Sequence, residues 1–121
     1  MSRRPSVRAA EHLPLKPVDF LVLLVLAGGE RHGYGLTQDI ARETGDTVRL
    51  VPGNLYTVLR RLLERGLIRE SNRRPAPDLD DARRRYYGIT PTGRAVLIAE
   101  AARMRDLVAA CVARDILTDS D

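Results

Sequence analysis

Apolar residues recur at helical spacing in four segments of the chain, and two shorter segments are typical of strands. The first helix is predicted over about residues 16–27, with Pro17 suited to its first turn. Because this helix is apolar on almost all sides, we expect it to lie at the centre of the domain. The second helix is predicted over about residues 33–43, where Leu36 and Ile40 lie one turn apart on one face.

The third helix is predicted within residues 50–68 and ends at Gly66. In a helical projection Leu55, Leu59 and Leu62 form its buried face. The polar side chains that project from the opposite side are Thr57, Arg60, Arg61 and Glu64. A helix that only filled a core would not need an arginine pair on its outer side, so we expect these arginines to have a partner.

Two strands and a long helix are predicted after the third helix. The strands fall within residues 67–71 and 84–90, separated by a segment with prolines and aspartates, which predicts a hairpin with a long tip. Thr90 can cap the last helix and Pro91 fits its first position, and the helix is expected to reach about residue 114.

This order of elements is typical of a mainly α fold with a small β-hairpin, the winged helix-turn-helix, extended by a long C-terminal helix. The predicted boundaries are a flexible basic N-terminal arm at residues 1–14, the winged domain at residues 15–90, and a C-terminal dimerisation helix and tail at residues 91–121. In such a domain the third helix lies in the major groove of DNA.

Composition excludes several classes of protein. No apolar run approaches the ~20 residues that span a bilayer, and no secretory h-region follows the N-terminus, so we expect a cytoplasmic protein that does not bind membranes. Cys111 is the single cysteine, and no zinc-ligand spacing is present, so neither a metal nor a cofactor is predicted. Paired carboxylates, a phosphate loop and a nucleophile–base spacing are absent, and we interpret His32 as a helix-start residue rather than a catalytic base.

Positive charge is concentrated around the third helix. Residues 52–74 contain six arginines and two glutamates, a net charge of +4, which equals the formal net charge of the whole chain. Arginine suits phosphate oxygens and guanine edges, so the charge indicates DNA or another acidic partner.

Three stretches of the sequence together resemble the PadR family of bacterial transcriptional regulators. The first, FLVLLVLAGGERHGYGL, places His32, Gly33, Tyr34 and Leu36 where the family has its His-Gly-Tyr-x-Leu signature. The second, VPGNLYTVLRRL, is similar to the family's recognition helix, and the third, RRRYYGITPTGRAVL, to its second wing strand. The sequence departs from the family where Val51 replaces a common serine that would cap the third helix, and where Thr57 replaces a frequent proline.

The resemblance implies that double-stranded DNA is the partner. The predicted DNA-contacting residues lie on the outer side of the third helix and at the base of the hairpin: Asn54, Tyr56, Thr57, Arg60, Arg61, Arg65, Arg73, Arg74, Arg83, Arg84 and Arg85. The alternative for Arg60 and Arg61 is a solvated surface pair, with Glu64 bonded to Arg60.

The last helix has apolar residues at steps of four and three, a pattern that packs against another helix. The residues predicted to form a homodimer interface, as in the family, are Leu97, Ala101, Met104, Leu107, Val108 and Cys111. The alternative is a helix that folds back on its own domain.

An effector pocket is the least determined site. Phe20, Leu23, Met104 and Leu107 are candidates to line an apolar pocket for a small molecule, and a filled dimer core is the alternative. The sequence and the resemblance together favour a dimeric repressor that binds an inverted-repeat operator and is released by an effector. The other hypothesis is a winged-helix adaptor whose arginines bind an acidic protein.

Overall fold

The structure is a computed structural model that describes residues 7–71 and 85–118. In chain order its elements are α1 (Val7–Ala10), α2 (Pro17–Ala27), β1 (Arg31–His32), α3 (Gly33–Glu43), α4 (Pro52–Glu64), β2 (Ile68–Glu70), β3 (Tyr86–Ile89) and α5 (Pro91–Ala113). The predicted order of four long helices with a hairpin before the last is confirmed, and the fold is a winged helix-turn-helix with a C-terminal helix.

The sheet has one more strand than the sequence predicted. β3 lies in the middle and pairs antiparallel with both β1 and β2, so the strand order is β1-β3-β2. Arg31 is opposite Tyr87, and Ile68 is opposite Ile89. A strand of two residues has no alternation that a sequence pattern can reveal, and it forms here because the edge of β3 is available to it.

The core surrounds α2. This helix packs against α3, α4, α5 and β3. Val22, Leu23 and Leu26 of α2 are almost completely buried, and α3 contributes Leu36 and Ile40 to the same cluster. The prediction that the first long helix would be central is therefore confirmed.

Part of the N-terminal segment that was predicted as an arm is helical. Residues 7–10 form the helical turn α1, which packs against α5, and Ala9 is buried there. The backbone N–H of Leu15 donates to Oε2 of Glu100 at 2.7 Å. Glu100 is fully buried and also accepts hydrogen bonds from the guanidinium of Arg103. This carboxylate therefore fixes the segment before α2 against α5, a long-range contact without a sequence pattern.

Helix starts differ in how their amides are satisfied. At α3 the Nδ1 atom of His32 accepts from the backbone N–H of Gly35 at 3.2 Å, which confirms His32 as a helix-start residue. At α5 the hydroxyl of Thr90 accepts from the N–H of Gly93 at 3.0 Å. Gly93 is also required by space, since a Cβ there would overlap the carbonyl oxygen of Leu67. α4 begins after Val51 without a side-chain cap.

Replacing Val51 with serine is expected to stabilise the protein. Val51 is 59% exposed, so its loss removes little packing, whereas a serine hydroxyl can accept a hydrogen bond from the first turn of α4. The free energy of unfolding, measured by urea titration, should rise by about 0.5 to 1 kcal/mol. Val51→Ala is the control, because it removes the same side chain without supplying an acceptor. Equal stability of the serine and alanine variants would contradict a capping effect.

The buried carboxylate of Glu100 predicts a stability that depends on pH. Hydrogen bonds from Arg103, followed by the one from the Leu15 amide, hold the pKa of Glu100 below its ordinary value against the opposing effect of burial. A carboxyl with a lowered pKa stabilises the fold above its unfolded pKa of about 4.3, and this contribution is lost as the pH falls through the folded pKa. In Glu100→Gln the unfolding free energy should fall less steeply below pH 5 than in the wild type. Parallel pH profiles would contradict this assignment.

Candidate nucleic-acid interface

α4 separates an apolar face from a polar one. Leu55, Leu59 and Leu62 are buried in the core, as the helical projection predicted, and Val58 is buried beside them. The side chains that the structure leaves exposed on the other faces of α4 include Asn54, Tyr56, Thr57, Arg60 and Glu64. The leucines thus pack the helix against the domain. The exposed side chains on its successive turns remain accessible to a partner.

Arg60 and Tyr56 form a stacked pair on the exposed side of α4. The guanidinium carbon of Arg60 lies 5.2 Å from the centre of the Tyr56 ring, a distance at which a cation is attracted to the face of the ring. Tyr56 is 44% exposed, so its ring both supports Arg60 and contributes to the surface. Stacking restricts a long side chain that would otherwise sample many rotamers, and it leaves the charge accessible.

The prediction that Arg61 projects away from the domain is wrong. Its guanidinium turns toward α2 and donates two hydrogen bonds to the carboxylate of Asp19, one of them from Nε to Oδ2 at 3.2 Å. Asp19 is fully buried, whereas the Arg61 side chain is 24% exposed. The hydrogen bond to Asp19 raises the pKa of Arg61 above its ordinary value, with burial acting in the opposite direction. The arginine pair therefore divides: Arg61 has a partner inside the domain.

Arg65 lies at the C-terminal end of α4, where its Nη1 atom is 3.9 Å from Oδ2 of Asp19. Its side chain is 42% exposed. At this distance the attraction to Asp19 is weaker than that of a hydrogen-bonded pair, so Arg65 is held less firmly than Arg61.

The wing is the hairpin that contains β2 and β3, and its base lies beside α4. Arg85, just before β3, has its Nη1 atom 3.3 Å from Oε1 of Glu70 on β2. A small cavity of about 90 Å³ separates this pair from α4, and its lining includes Tyr56, Arg60 and Tyr87. The structure thus brings Arg85 near the Arg60 side of α4, as the predicted interface requires. The predicted contacts Arg73, Arg74, Arg83 and Arg84 lie outside the described residues.

A groove on the other side of α4 contains one basic residue, Lys16, that the sequence did not assign to the interface. It has a volume of about 370 Å³ and lies between the start of α2 and α4. Lys16 and Pro17 line it opposite Asn54 and Thr57. Lys16 was predicted only as a helix boundary, and no local pattern relates it to α4, which is far away along the chain.

The residues predicted for dimerisation have different environments. Leu97 is only 8% exposed and belongs to the core of its own protomer, because the first half of α5 packs against α2. Leu107 and Val108 are 54% and 51% exposed. Met104 and Cys111 are partly buried, and Ala101 is exposed. The apolar surface of α5 therefore begins after Leu97.

The four residues predicted to line an effector pocket differ in their accessibility. Leu23 is completely buried in the core, so a ligand cannot reach it without displacing core side chains. Phe20 and Met104 are partly buried and Leu107 is exposed.

A family model, described as the transcriptional regulator PadR-like family, matches residues 22–99. This match includes α3, α4, both strands of the wing and the first part of α5. The chain belongs to the PadR-like family of transcriptional regulators.

Similarity to individual proteins agrees with membership of the PadR family. A transcriptional regulator of Mycobacterium tuberculosis is 36% identical over 91 residues, which are 75% of this chain and 74% of that protein. A 37.1 kDa transposon protein of Streptomyces fradiae is 39% identical over 87 residues, 72% of this chain. The chain spans 23% of the length of that transposon protein.

A solved structure of Bacillus subtilis PadR, in complex with operator DNA, has the same fold as this chain. The TM-score is 0.60 at 24% sequence identity, over 70% of this chain and 46% of that one. The likeness shows that the winged helix-turn-helix described above is the fold of a PadR protein.

PadR membership decides between a transcriptional regulator and a winged-helix adaptor that binds an acidic protein. The protein is a DNA-binding transcriptional regulator, not an enzyme, and the adaptor hypothesis is set aside.

Among residues 7–71 and 85–118, the helices do not combine the length and apolarity that crossing a bilayer requires.

Proposed function

We propose that the protein is a cytoplasmic, dimeric repressor that binds an inverted-repeat operator through α4 and is released from it by an effector. The observation that supports this most directly is the exposed polar surface of α4 opposite its leucines, with Arg60 held over the ring of Tyr56. A surface of this kind fits the major groove, where side chains of the third helix of a winged domain meet base edges.

The proposed contacts divide by chemistry. Asn54 and Thr57 can exchange hydrogen bonds with base edges, and Arg60 can bind either guanine or phosphate. Arg65 and Arg85 are assigned to phosphates, which positions the protein on the duplex without selecting a sequence. Their partial exposure in the structure supports this assignment. Arg61 is bonded to Asp19, so we assign it a smaller share of the binding energy than Arg60.

The proposed dimer forms through the second half of α5. Leu107 and Val108 expose apolar surface there, and Met104 and Cys111 lie partly buried along the same helix. A second copy of α5 would remove this surface from water, which is favourable by roughly 25 cal/mol per Å² of apolar area. Leu97 contributes to the protomer core instead.

An effector site is proposed where α2 and α5 meet. These two helices are in contact, and Phe20, Met104 and Leu107 remain at least partly exposed. An apolar molecule bound among them would contact both the helix that supports α4 and the helix proposed to form the dimer.

Charged substitutions on α5 are expected to separate the dimer. The double variant Met104→Glu, Val108→Glu should sediment as a monomer at micromolar concentration, because two carboxylates would be buried at the interface. Val108 is 51% exposed in the protomer and Met104 is only partly buried, so the fold itself should tolerate the change. Ala109→Glu is the control, since Ala109 is exposed and lies about 100° further around the helix. A dimeric double variant would contradict the proposed interface.

Replacing Arg60 with alanine is expected to weaken operator binding and its dependence on salt. Each phosphate contact adds about 0.9 to the slope of log affinity against log salt, so the slope should fall by about one per protomer. The measurement is titration of a fluorescent operator, selected from the DNA upstream of the protein's own gene, at several salt concentrations. Two α4 helices related by a two-fold axis should require half-sites about 10 bp apart or a multiple of that.

The control removes one arginine that belongs neither to α4 nor to the strands β2 and β3. Arg114 follows α5 and is exposed, so Arg114→Ala should leave affinity and slope unchanged. Equal slopes for Arg60→Ala and the wild type would remove Arg60 from the interface. Equal affinity of the wild type for the operator and for random duplex would contradict operator recognition.

A further inference from the structure

Two carboxylates are fully buried in the part of the chain that the structure describes, Asp19 and Glu100. Glu100 is accounted for by the segment before α2, which it fixes to α5 through the Leu15 amide. Asp19 is bonded instead to α4, the helix proposed to contact DNA, through two N–H groups of Arg61, and Nη1 of Arg65 on the same helix lies 3.9 Å from its Oδ2 atom.

Stability alone does not explain a buried pair of this kind. Taking a carboxylate out of water is unfavourable, and replacing a buried ion pair by apolar residues of similar volume is often neutral or stabilising. Most neighbours of Asp19 along α2 are apolar and pack in the core, so an apolar residue would suit its position. An ion pair differs from an apolar contact because its hydrogen bonds require a defined orientation of the two groups.

This required orientation restricts the rotation of α4 about its own axis. The Arg61 guanidinium meets both oxygens of one carboxylate, a geometry that tolerates little displacement. A rotation of about 20° would move atoms ~5 Å from the axis by ~2 Å. Binding constellations require placement within about 0.5 Å, so a rotation of that size would displace Arg60 and Thr57 from base edges.

The pair also affects how strongly the protein binds DNA of any sequence. A free Arg61 beside Arg60 would add a phosphate contact, which raises affinity for operator and random duplex alike. Bonding to Asp19 removes most of that contribution. The biologically relevant quantity is the ratio of specific to random affinity, and this ratio is larger when sequence-independent contacts are fewer.

We propose that Asp19 is a positioning residue for DNA recognition: by holding Arg61, it sets the rotation of α4 and withholds that arginine from phosphates. This inference rests on the proposed function, in which the outer surface of α4 meets the operator. Asp19 itself does not touch DNA in this proposal, since it is completely buried.

The test compares Asp19→Asn with the wild type on the operator and on random duplex, at a temperature where circular dichroism shows both proteins folded. The variant should bind random duplex more tightly, with a salt slope steeper by about one per protomer, because Arg61 is released. The ratio of operator to random affinity should fall at least tenfold. Glu100→Gln is the matched control: it removes the other buried, arginine-paired carboxylate and should leave both ratio and slope at their wild-type values.

A second variant tests whether the steeper salt slope comes from the released Arg61. Asp19→Asn combined with Arg61→Gln removes the released charge, so the salt slope and the affinity for random duplex should return to wild-type values. An unchanged slope and ratio in Asp19→Asn would overturn the proposal, as would a steeper slope that persists in the double variant. Wild-type protein without operator preference would overturn the proposed function instead, and the slopes on random duplex would still decide whether Asp19 withholds Arg61.

Discussion

The fold depends on the burial of one helix. α2 is apolar on nearly every side, and a helix of that composition is stable in water only when other elements cover it. α3, α4, α5 and the central strand each place their apolar side chains against it. This burial determines which side of α4 faces α2, because its leucines must meet the core and its polar residues must then face outward. The exposed surface of α4 is thus a consequence of how the core is filled.

Ion pairs reduce the positive charge that the arginines around α4 can offer to a partner. The sequence has an excess of arginine around α4, yet several arginines near it have acidic partners in the fold. Arg61 is bonded to Asp19, Arg69 has its Nη1 atom 3.1 Å from Oε2 of Glu30, and Arg85 is paired with Glu70. Pairs at the surface of the wing are weak and can exchange a carboxylate for a phosphate, whereas the buried carboxylate of Asp19 cannot be replaced so easily. The two kinds of pair therefore have different consequences for DNA binding.

α5 has two environments along its length. Its first half is covered by α2 and by the segment that Glu100 fixes, and Val96 and Leu97 belong to the core there. In its second half residues 105–109 are exposed, and Leu107 and Val108 are among them. A helix with one apolar spacing throughout thus serves the protomer first and leaves surface for a second copy afterwards. The point along α5 at which its apolar side chains become exposed depends on where the domain ends. The spacing of apolar residues along a helix does not reveal that point.

The sequence by itself determined the four long helices, the strands β2 and β3 and the family resemblance, because periodic leucines, proline and glycine at helix ends and the motif of residues 51–62 can be read locally. It also determined which side of α4 is apolar. Only the tertiary structure decided that Arg61 turns inward, that Leu97 and Leu23 are core residues, and that β1 and α1 form. Each of these depends on a partner distant along the chain: Asp19 is 42 residues from Arg61, and Glu100 is 85 from Leu15. Helical periodicity states which residues share a face, but the side chain that meets a given arginine is fixed by packing.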